Sequence, residues 1–108
     1  MGRVMGGESG AGINAERALI FLHQHPLRKR LLRLYVEMKE MRSPKELTVP
    51  VDKSVSLVGY HVRVLAERGA VEIVAEQPRR GAVEHFYVAT ALIDEVPWAR
   101  AALGLEGD

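Results

Sequence analysis

A chain of 108 residues with 15 Lys and Arg against 14 Asp and Glu has a net charge of +1 and room for one small domain with a modest core. Its composition, 47% apolar and 27% charged, is that of an ordinary globular protein, and no run of about 18 apolar residues is available to cross a membrane. Near-neutral charge leaves any argument for nucleic-acid binding to the distribution of the charges, and the absence of cysteine excludes disulfides and thiolate metal sites, as expected in a reducing cytoplasm.

Residues 1–12 are glycine-rich and lack the apolar core of a secretory signal, so they are expected to form a flexible tail ahead of a domain over 13–105. From Ile13 to His23, Ala15, Ala18, Leu19 and Leu22 share one face with Phe21 beside it, which predicts a first helix capped by Asn14 and ending before Pro26. Pro26 then suits the first position of a second helix, with Leu27, Leu31, Leu34, Tyr35 and Met38 as its buried stripe and Leu32 widening it. Arg28, Lys29, Arg30 and Arg33 crowd its first turns, either as a solvated face or as phosphate contacts.

Ser43-Pro44-Lys45-Glu46 carries a capping serine, a proline at the first helical position and the glutamate of a capping box. The helix it opens should be short, because Pro50 is expected to break it within about two turns. Asp52 and Lys53 then make a turn. The stretch from Ser54 to Gly69 is the centre of the chain. Ser54 can cap it, Val55, Val58, Val62 and Leu65 form its apolar stripe, and Gly69 suits its left-handed exit. Its outward face holds Ser56, Leu57, Gly59, Tyr60 and Arg63.

Val71 to Ala75 and Ala82 to Val88 are β-prone, with register left open. Pro78 and Gly81 between them favour a loop of several residues over a two-residue turn, with Arg79 and Arg80 at its tip. Thr90 to Leu105 is a last helical segment interrupted by Pro97, and Glu106 to Asp108 are expected to fray. Leu92, Ile93, Val96, Trp98, Ala102 and Leu103 give that segment more apolar surface than a short terminal helix needs for itself. The overall expectation is an α+β fold, mainly helical with a small hairpin.

In that order His25-Pro26-Leu27-Arg28-Lys29-Arg30-Leu31-Leu32, Ser43-Pro44-Lys45-Glu46-Leu47, Tyr60-His61-Val62-Arg63-Val64-Leu65 and Gly81-Ala82-Val83-Glu84-His85-Phe86-Tyr87 resemble the ArsR-like winged helix-turn-helix regulators. The resemblance runs from about Leu22 to Val88 and extends to the terminal helices. It implies a cytoplasmic homodimer of bacterial type that binds double-stranded DNA and regulates transcription, most often as a repressor. Residues 54–68 would enter the major groove and residues 76–82 would reach the backbone or minor groove. Ser54 and Ser56 would meet phosphates, Leu57, Gly59 and Tyr60 would face bases, Arg63 would take a phosphate or guanine, and Arg79 and Arg80 would tip the wing. Leu19, Leu22, Leu92, Ile93, Val96, Trp98 and Leu103 would form the dimer seam. Trp98 and the apolar positions around it suit either a small-molecule pocket between subunits, for an unknown effector, or the centre of the dimer seam, and the seam is the favoured reading.

The chain departs from that pattern at Thr48-Val49-Pro50, at Asp52 in place of a common glycine, and at Gly59 in place of a common hydroxyl residue. Leu57 and Gly59 offer no hydrogen bonds to base edges, although Leu57 can touch a thymine methyl. The alternative is therefore a protein-interaction module that keeps the scaffold with degenerate DNA reading. The four histidines lack the helical spacing of a metal site, and His61 is expected beside the wing or bonded to a carbonyl. No catalytic constellation and no cofactor cradle stand out.

Overall fold

Helix ends in this chain are set by short local devices. The computed structural model describes residues 14–105, so the expected tail, Ile13 and the expected frayed end lie outside the described residues. Among the described residues the architecture is α+β, with five α-helices, a 3-10 turn and one antiparallel hairpin. The first helix, α1, covers residues 14–23 and buries Ala15, Ala18, Leu19 and Leu22. Asn14 is already helical there and is not the cap.

Helix α2, Pro26–Met38, begins on its proline and ends at Lys39, which adopts a left-handed conformation with φ 60°. Leu31, Leu32 and Tyr35 are its buried apolar residues, and the Tyr35 hydroxyl donates to the Arg42 carbonyl at 2.9 Å. Helix α3, Pro44–Val51, carries the complete capping box. Ser43 Oγ accepts from the Glu46 amide at 3.3 Å, and Glu46 Oε1 accepts from the Ser43 amide at 3.0 Å. The helix is as short as expected, eight residues, and ends one residue after Pro50, which lies within its last turn. A proline there removes only one hydrogen bond near an end already closing, and buried Val51 with the Asp52 amide bonded to Thr48 O at 2.7 Å complete the turn.

Helix α4, Val55–Glu67, starts on Ser54, whose hydroxyl accepts from the Leu57 amide at 3.2 Å. It ends in a Schellman motif. Gly69 has φ 82°, its amide bonds Ala66 O at 3.0 Å, and the Ala70 amide bonds Leu65 O at 2.9 Å. The buried stripe is Val58, His61, Val62 and Leu65. Val55, expected within it, is 53% exposed, because the first turn of α4 overhangs the core and faces the hairpin.

Strands β1, Val71–Arg79, and β2, Ala82–Ala89, pair from Val71↔Ala89 to Arg79↔Ala82, with a bulge between Ile73 and Ala75. The connection is the two-residue turn Arg80-Gly81, not the expected longer loop. Gly81 supplies the positive φ of 66°, and Pro78 sits inside β1 opposite Val83. A two-stranded ribbon has only edges, so a proline without an amide hydrogen fits into it. Arg42 pairs with Tyr87 on the other side of β2, through two backbone bonds of 3.0 Å. The base of the ribbon is anchored by Val71, Phe86 and Tyr87, while residues 76–83 are all exposed.

The terminal segment is helical and interrupted at Pro97, as expected, in two short pieces. The 3-10 turn Ala91–Glu95 is capped by Thr90, and α5, Ala99–Ala102, follows Pro97. Ile93, Val96, Ala99 and Leu103 join Leu19 and Leu22 in the chain's own core. This corrects the reading of the terminal apolar residues as a seam. Leu19, Leu22, Ile93, Val96 and Leu103 are buried within one chain, and Leu92 and Trp98 are half-buried against them. Among the described residues no helix is long and apolar enough to cross a membrane.

Candidate functional site

Between the first turn of α3, one side of α4 and the inner side of the hairpin lies a cleft of about 620 Å³. Its apolar surface includes Val55, Ile73 and Val83, with Gly59 beside them. Lys45, Arg63 and Arg79 bring positive charge, and Glu84 is the one acidic residue of the lining. Steps of four along α4 place Val55, Gly59 and Arg63 in a single row facing this cleft. Ser56 and Tyr60 form the next row round, and Leu57 lies beyond it. Ser54, Ser56, Leu57, Tyr60 and Arg63 are exposed, and Gly59 is partly so. The face expected of α4 is therefore open, with its cationic end turned toward the hairpin.

Glu84 ties the two halves of the cleft together. Its carboxylate accepts from the Ser43 hydroxyl, and from Arg79 Nε at 2.7 Å. These hydrogen bonds, Ser43 first and Arg79 second, hold its pKa below the usual carboxylate value. Arg79 also donates to Gln77 at 3.0 Å, so it lies along the ribbon rather than reaching off its tip. Arg80 is exposed in the turn and makes no hydrogen bond or ion pair among the described residues. The two arginines expected to act together thus differ in their freedom.

The basic run on α2 is not an open cationic face. Arg28 is only 7% exposed; its Nε donates to His61 Nδ1 at 3.3 Å, and its guanidinium lies 4.9 Å from the centre of the Phe21 ring. Arg30 bonds the Pro50 carbonyl, and Arg33 pairs with Glu37 at 3.1 Å one turn along. Packing for Arg28, a carbonyl for Arg30 and an ion pair for Arg33 engage three of the four charges.

His61 is 3% exposed and accepts from Arg28 rather than bonding a carbonyl, with the His25 ring 4.3 Å away. Burial, then the neighbouring His25 and Arg28, push its pKa down. His85 faces Glu76 at 3.3 Å on the exposed ribbon. Among the described residues no group of three or more His, Cys, Asp or Glu could hold a metal ion. Trp98 donates to Glu16 at 3.0 Å and meets His23 edge-on. It lines neither the cleft nor the second cavity of about 410 Å³, which lies between Tyr35, Lys39, Thr90 and Arg100.

Sequence reasoning missed Lys45, Val55 and Glu84 as parts of this site. Lys45 had a usable signal, since it lies in the first turn of the helix that the Ser43-Pro44 start announces. Glu84 had none, because its partners lie 41 residues away at Ser43 and across the turn at Arg79. No protein-family model matches the chain, and no curated protein matches it.

Proposed function

We propose that the chain is a DNA-binding transcriptional regulator of the ArsR-like kind, a winged helix-turn-helix in which α3 and α4 are the helix-turn-helix and the hairpin is the wing. The observation that carries this reading is the cleft: an exposed face of α4 stands beside a projecting ribbon, with Lys45, Arg63 and Arg79 around the gap. A major groove accepts one α-helix, and phosphate charge supplies much of the affinity while base contacts supply discrimination. In this reading α4 presents Ser56, Leu57 and Tyr60 to base edges, Ser54 and Arg63 meet phosphates, and free Arg80 reaches the adjacent backbone or minor groove. The regulator acts by occupancy, as a homodimer on a two-fold operator. The dimer surface then comprises residues other than those buried in the single-chain core.

Fluorescence anisotropy against the DNA upstream of the protein's own coding sequence, titrated with salt and scrambled duplex, tests the proposal. Two chains per site and binding that survives the competitor are expected. Binding that scrambled DNA matches at every salt concentration would remove sequence-specific regulation from the reading.

One observation favours a second reading, a protein-interaction module on the same scaffold. Val55, Leu57, Tyr60, Ile73 and Val83 are each 41–53% exposed, so much of the open face is apolar. A nanomolar, sequence-dependent duplex complex at physiological salt would exclude it.

A further inference from the structure

Four glycines fall among the described residues, and three of them have a backbone reason to be glycine. Gly69, Gly81 and Gly104 have φ of 82°, 66° and 76°, a region side-chain-bearing residues rarely adopt. Gly59 does not. It lies in the interior of α4 with ordinary helical geometry, where glycine is the poorest helix former after proline. A Cβ built there would find only Arg63 Nη1, at 3.8 Å, an ordinary contact with the end of a flexible side chain. Nothing described within the chain therefore needs the missing methyl group.

What surrounds Gly59 points outward. It lies in the cleft row between Val55 and Arg63, opposite Ile73 and Val83, with Lys45 and Arg79 at the margins. The one acid of the lining, Glu84, is already held by Ser43 and Arg79, so Lys45 and Arg63 are left to face a polyanion. Apolar walls suit deoxyribose rings, and cationic margins suit the phosphates between them.

We infer that Gly59 is a close-approach point, where one sugar-phosphate strand of bound DNA lies against the bare backbone of α4. The inference rests on the DNA-binding reading and deepens it, because it assigns to this glycine a steric role that base-edge hydrogen bonding cannot supply. A methyl group at this position fills the gap the strand occupies. The helix then gains stability and the complex loses it, so one substitution moves two properties in opposite directions.

The test is Gly59→Ala, made in the wild-type chain and in an Arg63→Ala background. Thermal unfolding and duplex binding are measured on each protein. The melting temperature should rise by about 4–8 °C. Affinity for both operator and scrambled duplex should fall about tenfold, by the same factor in both backgrounds. Unchanged or tighter binding overturns the inference. So does a lowered melting temperature, which would mean that the fold itself needs the glycine. A loss of affinity that vanishes in the Arg63→Ala background also overturns it, since the methyl would then act by displacing that side chain. Wild-type protein that binds no duplex at any salt concentration instead overturns the DNA reading, and the strand with it.

Discussion

The first turns of α2 and the cleft beside α4 carry similar numbers of cations and put them to opposite uses. On α2, Arg28 is buried against His61 and Phe21, Arg30 closes the end of α3, and Arg33 pairs along its own helix. Around the cleft, Arg63 makes no hydrogen bond or ion pair among the described residues, and Arg79 shares its charge with Glu84. A dense run of arginines is thus the less available one. Availability depends on what each guanidinium already touches, and charge counted along the sequence does not report it.

That contrast can be broken most sharply at Arg28. Replacing it with Met removes the donor to His61 and leaves a buried ring nitrogen unpaired, so stability should fall by about 1–3 kcal/mol. Urea unfolding measures this, and an equally stable variant that binds DNA more weakly would move Arg28 into the interface. Next in size is the double variant Arg63→Ala with Arg79→Ala. Its stability should fall by no more than about 1 kcal/mol, through loss of the Arg79–Glu84 pair, while the slope of log affinity against log salt falls by about 1 for each phosphate that is no longer neutralised. An unchanged slope would mean that the cleft cations do not meet phosphate.

A smaller effect comes from pH. The folded-state pKa of His61 lies below its ordinary value of 6.5, so the unfolded chain takes up protons first as the solution is acidified. The stability held by neutral His61 is fully present above that value. It is lost progressively as pH falls through 6.5 toward the lowered folded value. Urea midpoints between about pH 8 and about pH 5 should therefore decline, and His61→Gln should flatten the decline. Glu84 is the opposite kind of group with the same sign of response. Its depressed pKa keeps its contribution intact above the ordinary 4.5, and that contribution is lost as pH falls from there through the lower folded value, so its window opens at a lower pH than that of His61. The smallest expected effect is Arg33→Ala. It deletes one exposed pair with Glu37, and the unfolding free energy should move by no more than about 0.5 kcal/mol.

The sequence made legible those features that a few neighbouring residues decide. Ser43, Pro44 and Glu46 start α3 by bonds spanning three positions, and Gly69 ends α4 by supplying a left-handed residue where one is required. The α4 face of Ser56, Leu57, Tyr60 and Arg63 followed from helical spacing in the same way. What stayed hidden depends on distant partners. His61 joins the core because Arg28 arrives from 33 residues away to bond it. Val55 is exposed because the hairpin stands off from α4 instead of covering it. The apolar terminal residues looked like a seam because the space they fill, beside Leu19 and Leu22, exists only once the chain is folded. Pro78 suggested a loop, and only the pairing of the ribbon makes it a strand residue.

The Ser43 hydroxyl serves two masters, since it accepts from the Glu46 amide and donates to Glu84. Beyond the bulge at Ile73 and Ala75 the ribbon projects from the helical body, and this oxygen ties it to the start of α3. That tie lands on the first turn of α3, and α3 leads through Asp52 directly into the start of α4. Besides its direct packing on α4, the hairpin is therefore linked through this side chain to the helix that precedes α4. Ser43→Ala removes both the cap of α3 and the tie to Glu84.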